Sequence, residues 1–501
     1  MIRDSLYIGQ LFRGNELERL MHNLADKKIN NLTSYLAKYD GNDLFSKWLM
    51  FIRQLDEFIN IYYELLPEDK NQFCQTPLEE HSIDNLCNWL KNYFEKETIL
   101  RVRLLIGAYI STALYVHIGG LSTILNYKNV GQLLQFCQQR RLHYISLLHM
   151  IPKYSFGEEL VKNNVIEDIW GCVDFGMIPI TSSFHSIIQS RCLSNYEAVC
   201  CENGLSFNHE YSQLENCSLE PLRMTDVDLL YYNPVVRDKI FAEKDSFSLY
   251  SKKELDAVYT NDALYYEKYN LADNDVYKSL GCLIADVKPF FIDDYRIEIP
   301  SSCFENLEAK YKKFSLTCNS NSVYDLMNTR VAFIKFGDTY FSNYYFLIRY
   351  YKNTVYQTLR HNRTFQIDSG FLFEKKVIED LMKHGFTVKE NCKRIEHKEF
   401  DVVCVKNGCI YNFQCKNNYI NVQDIDTNKI NVVSRYHKML SRYYDKALKK
   451  EYSREHLLKQ KFGIDKVKHY VISRYPVITE NQDVISFNVL QDYLKNGILE
   501  W

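Results

Sequence analysis

Residues 399–416 read EFDVVCVKNGCIYNFQCK, two runs rich in β-branched and aromatic side chains split by Asn407-Gly408, the dipeptide that most strongly signals a tight hairpin. With those two residues as the loop, partners lie at equal distances from the turn. Asp401 then stands opposite Gln414, and Glu399 opposite Lys416. Period-2 alternation places all four on one face, followed there by Val403, Val405, Ile410 and Asn412. Phe400, Val402, Cys404, Tyr411, Phe413 and Cys415 take the other face, which reads as core. Polar residues thus gather at the open end of an otherwise buried hairpin.

An exposed ion pair between Asp401 and Lys416 would contribute only about 0–1 kcal/mol, too little to explain a Glu, an Asp, a Gln and a Lys in one place. A metal-assisted phosphodiester site does explain them. Mg²⁺ or Mn²⁺ takes oxygen ligands, here the Asp401 carboxylate, the Gln414 amide and the backbone carbonyl of Cys415. Lys416 would orient the attacking water or neutralise developing negative charge. Upstream, SGFLFEKKVIEDLMKHGFTV from Ser369 sets Phe373, Val377, Leu381 and Phe386 on one helix face, closed by Gly385. Glu374 lies at the edge of that face, where a carboxylate reaches inward.

A glutamate on a first helix, an aspartate in a hairpin and a following (D/E)xK resemble the PD-(D/E)xK nuclease superfamily, the fold of many restriction endonucleases. Asp401 matches the family's aspartate, Gln414-Cys415-Lys416 its (D/E)xK, and residues 370–374 its first-helix signal. Phe400 stands where the family has proline, and Gln414 where it has an acid; this QxK version is similar to the Mrr-type branch. The resemblance covers about residues 360–501. It implies a metal-dependent DNA endonuclease in prokaryotic defence or restriction, with Glu374, Asp401, Gln414 and Lys416 catalytic and Glu374, Asp401, Gln414 and the Cys415 carbonyl around the metal, and it leaves one metal or two open.

Residues 431–461 read as one long helix with Val433, Tyr436, Met439, Leu440, Tyr443 and Ala447 on its apolar side. Arg435, Lys438, Arg442, Lys446 and Lys449 recur at helical spacing beside it, a stripe suited to a phosphate backbone or, equally, to bulk solvent. The charge balance agrees with a polyanionic partner: residues 351–501 carry 26 Lys+Arg against 18 Asp+Glu, although the whole chain has a formal charge of −2. Residues 467–472 read as a further strand and 489–494 as part of a closing helix.

The 501 residues, with 46% hydrophobic and 25% charged side chains, exclude a lone peptide module and a disordered chain. Only 9 Pro against 39 Tyr and 29 Phe favours long elements and aromatic cores. The 15 Cys form no CxxC pair and are expected as reduced thiols of a cytoplasmic protein. No glycine precedes a lysine and no GxG, HExxH or GxSxG occurs, which excludes Walker A, dinucleotide-binding, zincin and serine-hydrolase signatures. The uncharged run 104–125 is long enough to span a bilayer. Its Ser, Thr and His residues and Gly119-Gly120 argue for a buried helix ending at the glycines, so no membrane is expected as a partner.

The fold class expected is mixed: a mainly helical domain over 1–155, an α/β sensing or linking region over 156–350, and a restriction-endonuclease-like α/β domain with a mixed sheet over 351–501. Within the first region, 43–63 and 83–93 read as helices, the second capped by Ser82; later, 332–336 reads as a strand and 341–359 as an aromatic-rich helix. The function expected is a nuclease whose N-terminal region selects targets, self-associates or binds a protein. The alternatives are a nuclease fold that only holds nucleic acid, and a helical adaptor for a protein partner.

Overall fold

The computed structural model describes residues 7–118, 127–162, 168, 171–202, 204–208, 249–250, 252–329, 331–389, 394–417, 430–474 and 476–499. The chain divides into two compact units, one drawn from Met1–Asp26, Ile180–Tyr231 and Asn362–Trp501, the other from Lys27–Pro179 and Tyr232–His361. These units and the three consecutive blocks of the sequence reading cut the chain differently. Helices and several small sheets together make the mixed class that was expected.

The first unit is built on a five-stranded sheet. Helix α1 (Arg363–Lys383) starts at Asn362, whose side chain accepts from the Phe365 N–H, and ends before Gly385 at φ +80°, the left-handed position that favours glycine. Strands β1 (Thr387–Val388), β2 (Val402–Lys406) and β3 (Cys409–Lys416) follow as an antiparallel meander. Asn407 and Gly408 both have positive φ, 50° and 70°, the type I′ turn that suits strand twist. The hairpin register is the expected one, Val402 opposite Phe413 through Lys406 opposite Cys409. Helices α2 (Ile430–Ser453) and α3 (Glu455–Phe462) then lead to β4 (Val467–Ser473), parallel to β3, and β5 (Val484–Ser486), parallel to β4, before α4 (Phe487–Lys495).

One sheet face packs Val402, Cys404, Tyr411 and Phe413 against Phe373 and Val377 of α1 and Leu490 of α4. The other face packs Val471 and Val484 against Leu440, Tyr444 and Leu448 of α2, and Val403 and Ile410 against Leu457 and Leu458 of α3. Each such side chain contributes about 1.5–3 kcal/mol when fully buried. This unit also contains a three-stranded antiparallel sheet, Leu11–Arg13, Glu197–Cys201 and Gly204–Phe207. Its core reaches Val433 at the start of α2 and Ile478.

Three sequence expectations change here. The chain bends at Asp401, so β2 starts at Val402 and the alternation does not carry back through the bend. Phe400 therefore packs with Val403 and Ile410, opposite the face expected for it. Glu399 is exposed and pairs with Arg394 in a separate two-stranded hairpin, not with Lys416. The single long helix is two, broken at Arg454. On α2 the buried side is Val433, His437, Leu440, Tyr444 and Leu448, which leaves Met439 and Tyr443 about half exposed, at 53% and 47%.

In the second unit, helix Gly41–Glu64 is capped by Asp40 and packs on Lys96–Ile118 and Val130–Tyr154, with Trp48 donating to the Tyr144 carbonyl at 3.0 Å. Gly119-Gly120, the expected end of the second of these helices, lies outside the described residues. No helix among the described residues is long and apolar enough to cross a membrane. Helix Glu80–Leu90 contains Ser82 instead of being capped by it. A strand Thr339–Asn343 precedes helix Tyr344–Leu359, with Asn343 as its cap, where one helix was expected from 341. Ile334–Phe336 is a strand, as expected.

Candidate functional site

The bend at Asp401 decides the geometry of the site. With β2 ended, the Asp401 carboxylate takes over where the ladder stops, its Oδ2 accepting from the Cys415 backbone N–H at 2.8 Å. A strand residue's N–H and C=O leave on the same side, so the Cys415 carbonyl is directed to the edge where Asp401 sits. Two residues along, the Lys416 ammonium donates to Gln414 Oε1 at 3.0 Å. Asp401, Gln414, Cys415 and Lys416 are thus gathered at the C-terminal end of β3.

Burial pushes the Asp401 carboxyl above its ordinary range; the Lys416 charge and the Cys415 N–H pull the other way without cancelling it. Asp401 Oδ1 makes no hydrogen bond among the described residues. Gln414 is buried, 6% exposed, and its Nε2 has no partner among them. Glu374 is half-buried on α1, next to Phe373 in the core, and α1 packs along β3. The Asn417 amide just past Lys416 donates to Ser369 Oγ of α1 at 2.9 Å, which fixes the N-terminal half of that helix at this end of the sheet. Among the described residues no three His, Cys, Asp or Glu side chains converge as a metal group. Beside Asp401 opens a cavity of about 550 Å³, walled by Ile378, Met382, Phe386 and Val388, to which Lys389 contributes a cation.

Two features escaped the sequence reading. Arg474, directly after β4, is buried and donates to Asn417 Oδ1 at 2.6 Å, which adds a guanidinium at the same sheet end. Beneath the site lies a buried polar network. Asn412 donates to Glu451 at 2.8 Å and meets His469 at 3.1 Å, His469 meets Glu455 at 3.0 Å, and Arg454 donates to both oxygens of Glu451. Glu451 is fully buried and its charge opposes ionisation of Asp401, while Arg454 assists it. The signal was present: Glu451 continues the buried spacing of Tyr444 and Leu448 on α2.

Arg435, Lys438, Arg442, Lys446 and Lys449 are all exposed on α2. The first four line a groove of about 960 Å³ together with Arg191 of helix Ile178–Cys192 and with Met439 and Tyr443. Lys449 lies beyond that groove. The chain matches no protein-family model, no curated protein and no solved structure.

Proposed function

We propose that the unit containing residues 362–499 is a metal-dependent nuclease of restriction-endonuclease-like fold, hydrolysing phosphodiester bonds in nucleic acid, with DNA the expected substrate. The observation that carries the reading is the joint placement of Asp401 and the Gln414-Cys415-Lys416 run at the carboxyl end of a central strand. An α1-β1-β2-β3-α2-α3-β4 order with an antiparallel meander and a parallel crossover from β3 to β4 supports it.

The donor set fits one hard cation. A desolvated carboxylate with a free outer oxygen among the described residues gains from a cation beside it, and the Cys415 carbonyl faces the same edge. Asp401, the Gln414 amide oxygen and that carbonyl would hold the ion, with Glu374 closing the set from α1. Bound there, Mg²⁺ or Mn²⁺ supplies Lewis-acid activation of a phosphate oxygen and of water. Lys416 offers its ammonium to a non-bridging oxygen as charge accumulates. Purified protein incubated with plasmid, linear DNA and RNA in Mg²⁺, Mn²⁺ or EDTA tests the reading: metal-dependent cleavage is expected, and its absence for every nucleic acid leaves a binding module. A prokaryotic defence role is part of the same proposal and is tested by phage plating on cells with and without the intact gene.

A further inference from the structure

We propose that the groove along α2 is a track for single-stranded nucleic acid, in which Tyr443 stacks on an unpaired base while cations follow the phosphates; this deepens the nuclease reading by naming the form of the polymer held.

Among the described residues its walls carry five cations and no acid. Arg435, Lys438, Arg442 and Lys446 make no ion pair among the described residues. Lys438, Arg442 and Lys446 are successive like charges at i,i+4, an arrangement that destabilises a helix unless an anion lies against it. Arg191 is held differently. Glu18 accepts from its Nε and Nη2 at 2.9 and 2.7 Å, and Asn431 from its Nη1, so its guanidinium stands fixed in the groove wall before any ligand arrives.

The apolar residues decide which polymer fits. Met439 and Tyr443 lie between the cations, about half exposed. A duplex presents phosphates outward and keeps its base faces stacked, so an exposed ring on a groove wall has nothing to meet. A single strand offers π-faces, and aromatic side chains in a basic groove are how such strands are held without sequence preference. The groove also lies at the level of the proposed catalytic residues. Tyr444 Oη is 3.1 Å from Ser473 Oγ, and Ser473 is the cross-strand partner of Lys416. The turn bearing Arg442, Tyr443 and Lys446 is therefore level with Lys416, and the rest of the groove runs on past the sheet end.

The test is fluorescence anisotropy of the full chain with short labelled single-stranded DNA, single-stranded RNA and duplex DNA of one sequence, in EDTA, so that binding is read without cleavage. At least one single strand should bind more tightly than the duplex. Tyr443→Ala should weaken single-strand binding roughly 5- to 100-fold and leave duplex binding unchanged, with Tyr443→Phe close to wild type. Arg435→Glu with Arg442→Glu should weaken both and reduce the log–log salt slope by about 0.7 per lost single-strand phosphate contact. Preference for the duplex, or a Tyr443→Ala variant that binds single strands as wild type does, overturns the track. Cleavage that fails while single-strand binding holds counts against the nuclease reading alone.

Discussion

Asp401 Oδ2 accepts the backbone N–H of Cys415 at 2.8 Å, so the bend that ends one strand is tied by a side chain to the strand carrying Gln414 and Lys416. The same carboxylate serves the backbone with one oxygen and leaves the other without a hydrogen bond among the described residues. Asp401→Asn keeps an acceptor for Cys415 and discards the charge. It should retain the fold by circular dichroism and lose metal-dependent plasmid cleavage by at least about 100-fold, the scale of one transition-state electrostatic contact. Lys416→Ala should do the same. A folded Asp401→Asn protein that cuts as fast as wild type would falsify the site.

The pH dependence of stability gives an independent reading of that carboxylate. Burial raises its folded pKa above the ordinary value, so the folded state holds the proton more tightly than the unfolded chain does. The group's stabilising contribution is full below the unfolded pKa, about 4, and is lost as pH rises through the folded value. At neutral pH its charge is a cost. Asp401→Asn should therefore exceed wild type in urea midpoint at pH 7, with the difference shrinking towards pH 4. A lower midpoint at pH 7 would mean that the Lys416 attraction outweighs desolvation.

Much of this was legible because it is local. Asn407-Gly408 fixes a two-residue turn, and the turn fixes the register from Val402 to Lys406. Gly385 ends α1 because a positive φ is required there. What failed was extrapolation along an element. Alternation carried back through Asp401 misplaced Phe400 and Glu399, since nothing in EFDVV marks the bend. The apolar side of α2 was drawn one residue off because Met439 and Tyr443 were assumed buried, whereas His437 holds that place. Burial drives the His437 pKa down to about 4, so it packs there as a neutral ring. Discontinuity was not legible at all: residues 180–208 join the C-terminal unit through packing on Val433 and Ile478, contacts that no local pattern encodes.

The buried network should prove expensive to break from one side. Glu451 is fully buried and Arg454 6% exposed, with the Arg454 guanidinium 4.4 Å from the Phe400 ring centroid. Arg454→Met strands the carboxylate and should cost about 3–5 kcal/mol in urea denaturation. Glu451→Gln combined with Arg454→Met removes both charges and should recover a large part of that loss. If the single variant loses under about 1 kcal/mol, the range of an exposed pair, the network is hydrated in solution.

Gln414 separates an enzyme from an inert binder. Its Oε1 accepts from Lys416 at 3.0 Å, while its Nε2 is buried with no partner among the described residues. The amide oxygen can ligate Mg²⁺ but brings no charge, so a working site should bind the ion more weakly than one with an acid there. Gln414→Glu replaces the unpartnered donor with an acceptor, keeps nearly the same shape and adds a negative charge between Lys416 and the ion. In an enzyme, cleavage should persist and the Mg²⁺ concentration for half-maximal rate should fall. In a binder that never held metal, the same change only sets a negative charge near phosphate, so nucleic-acid affinity drops and no cleavage appears. Parallel Mg²⁺ and Mn²⁺ titrations of both proteins on one labelled substrate distinguish these outcomes. Silence from both proteins across several nucleic-acid forms would end the nuclease reading and leave the basic groove as the functional surface.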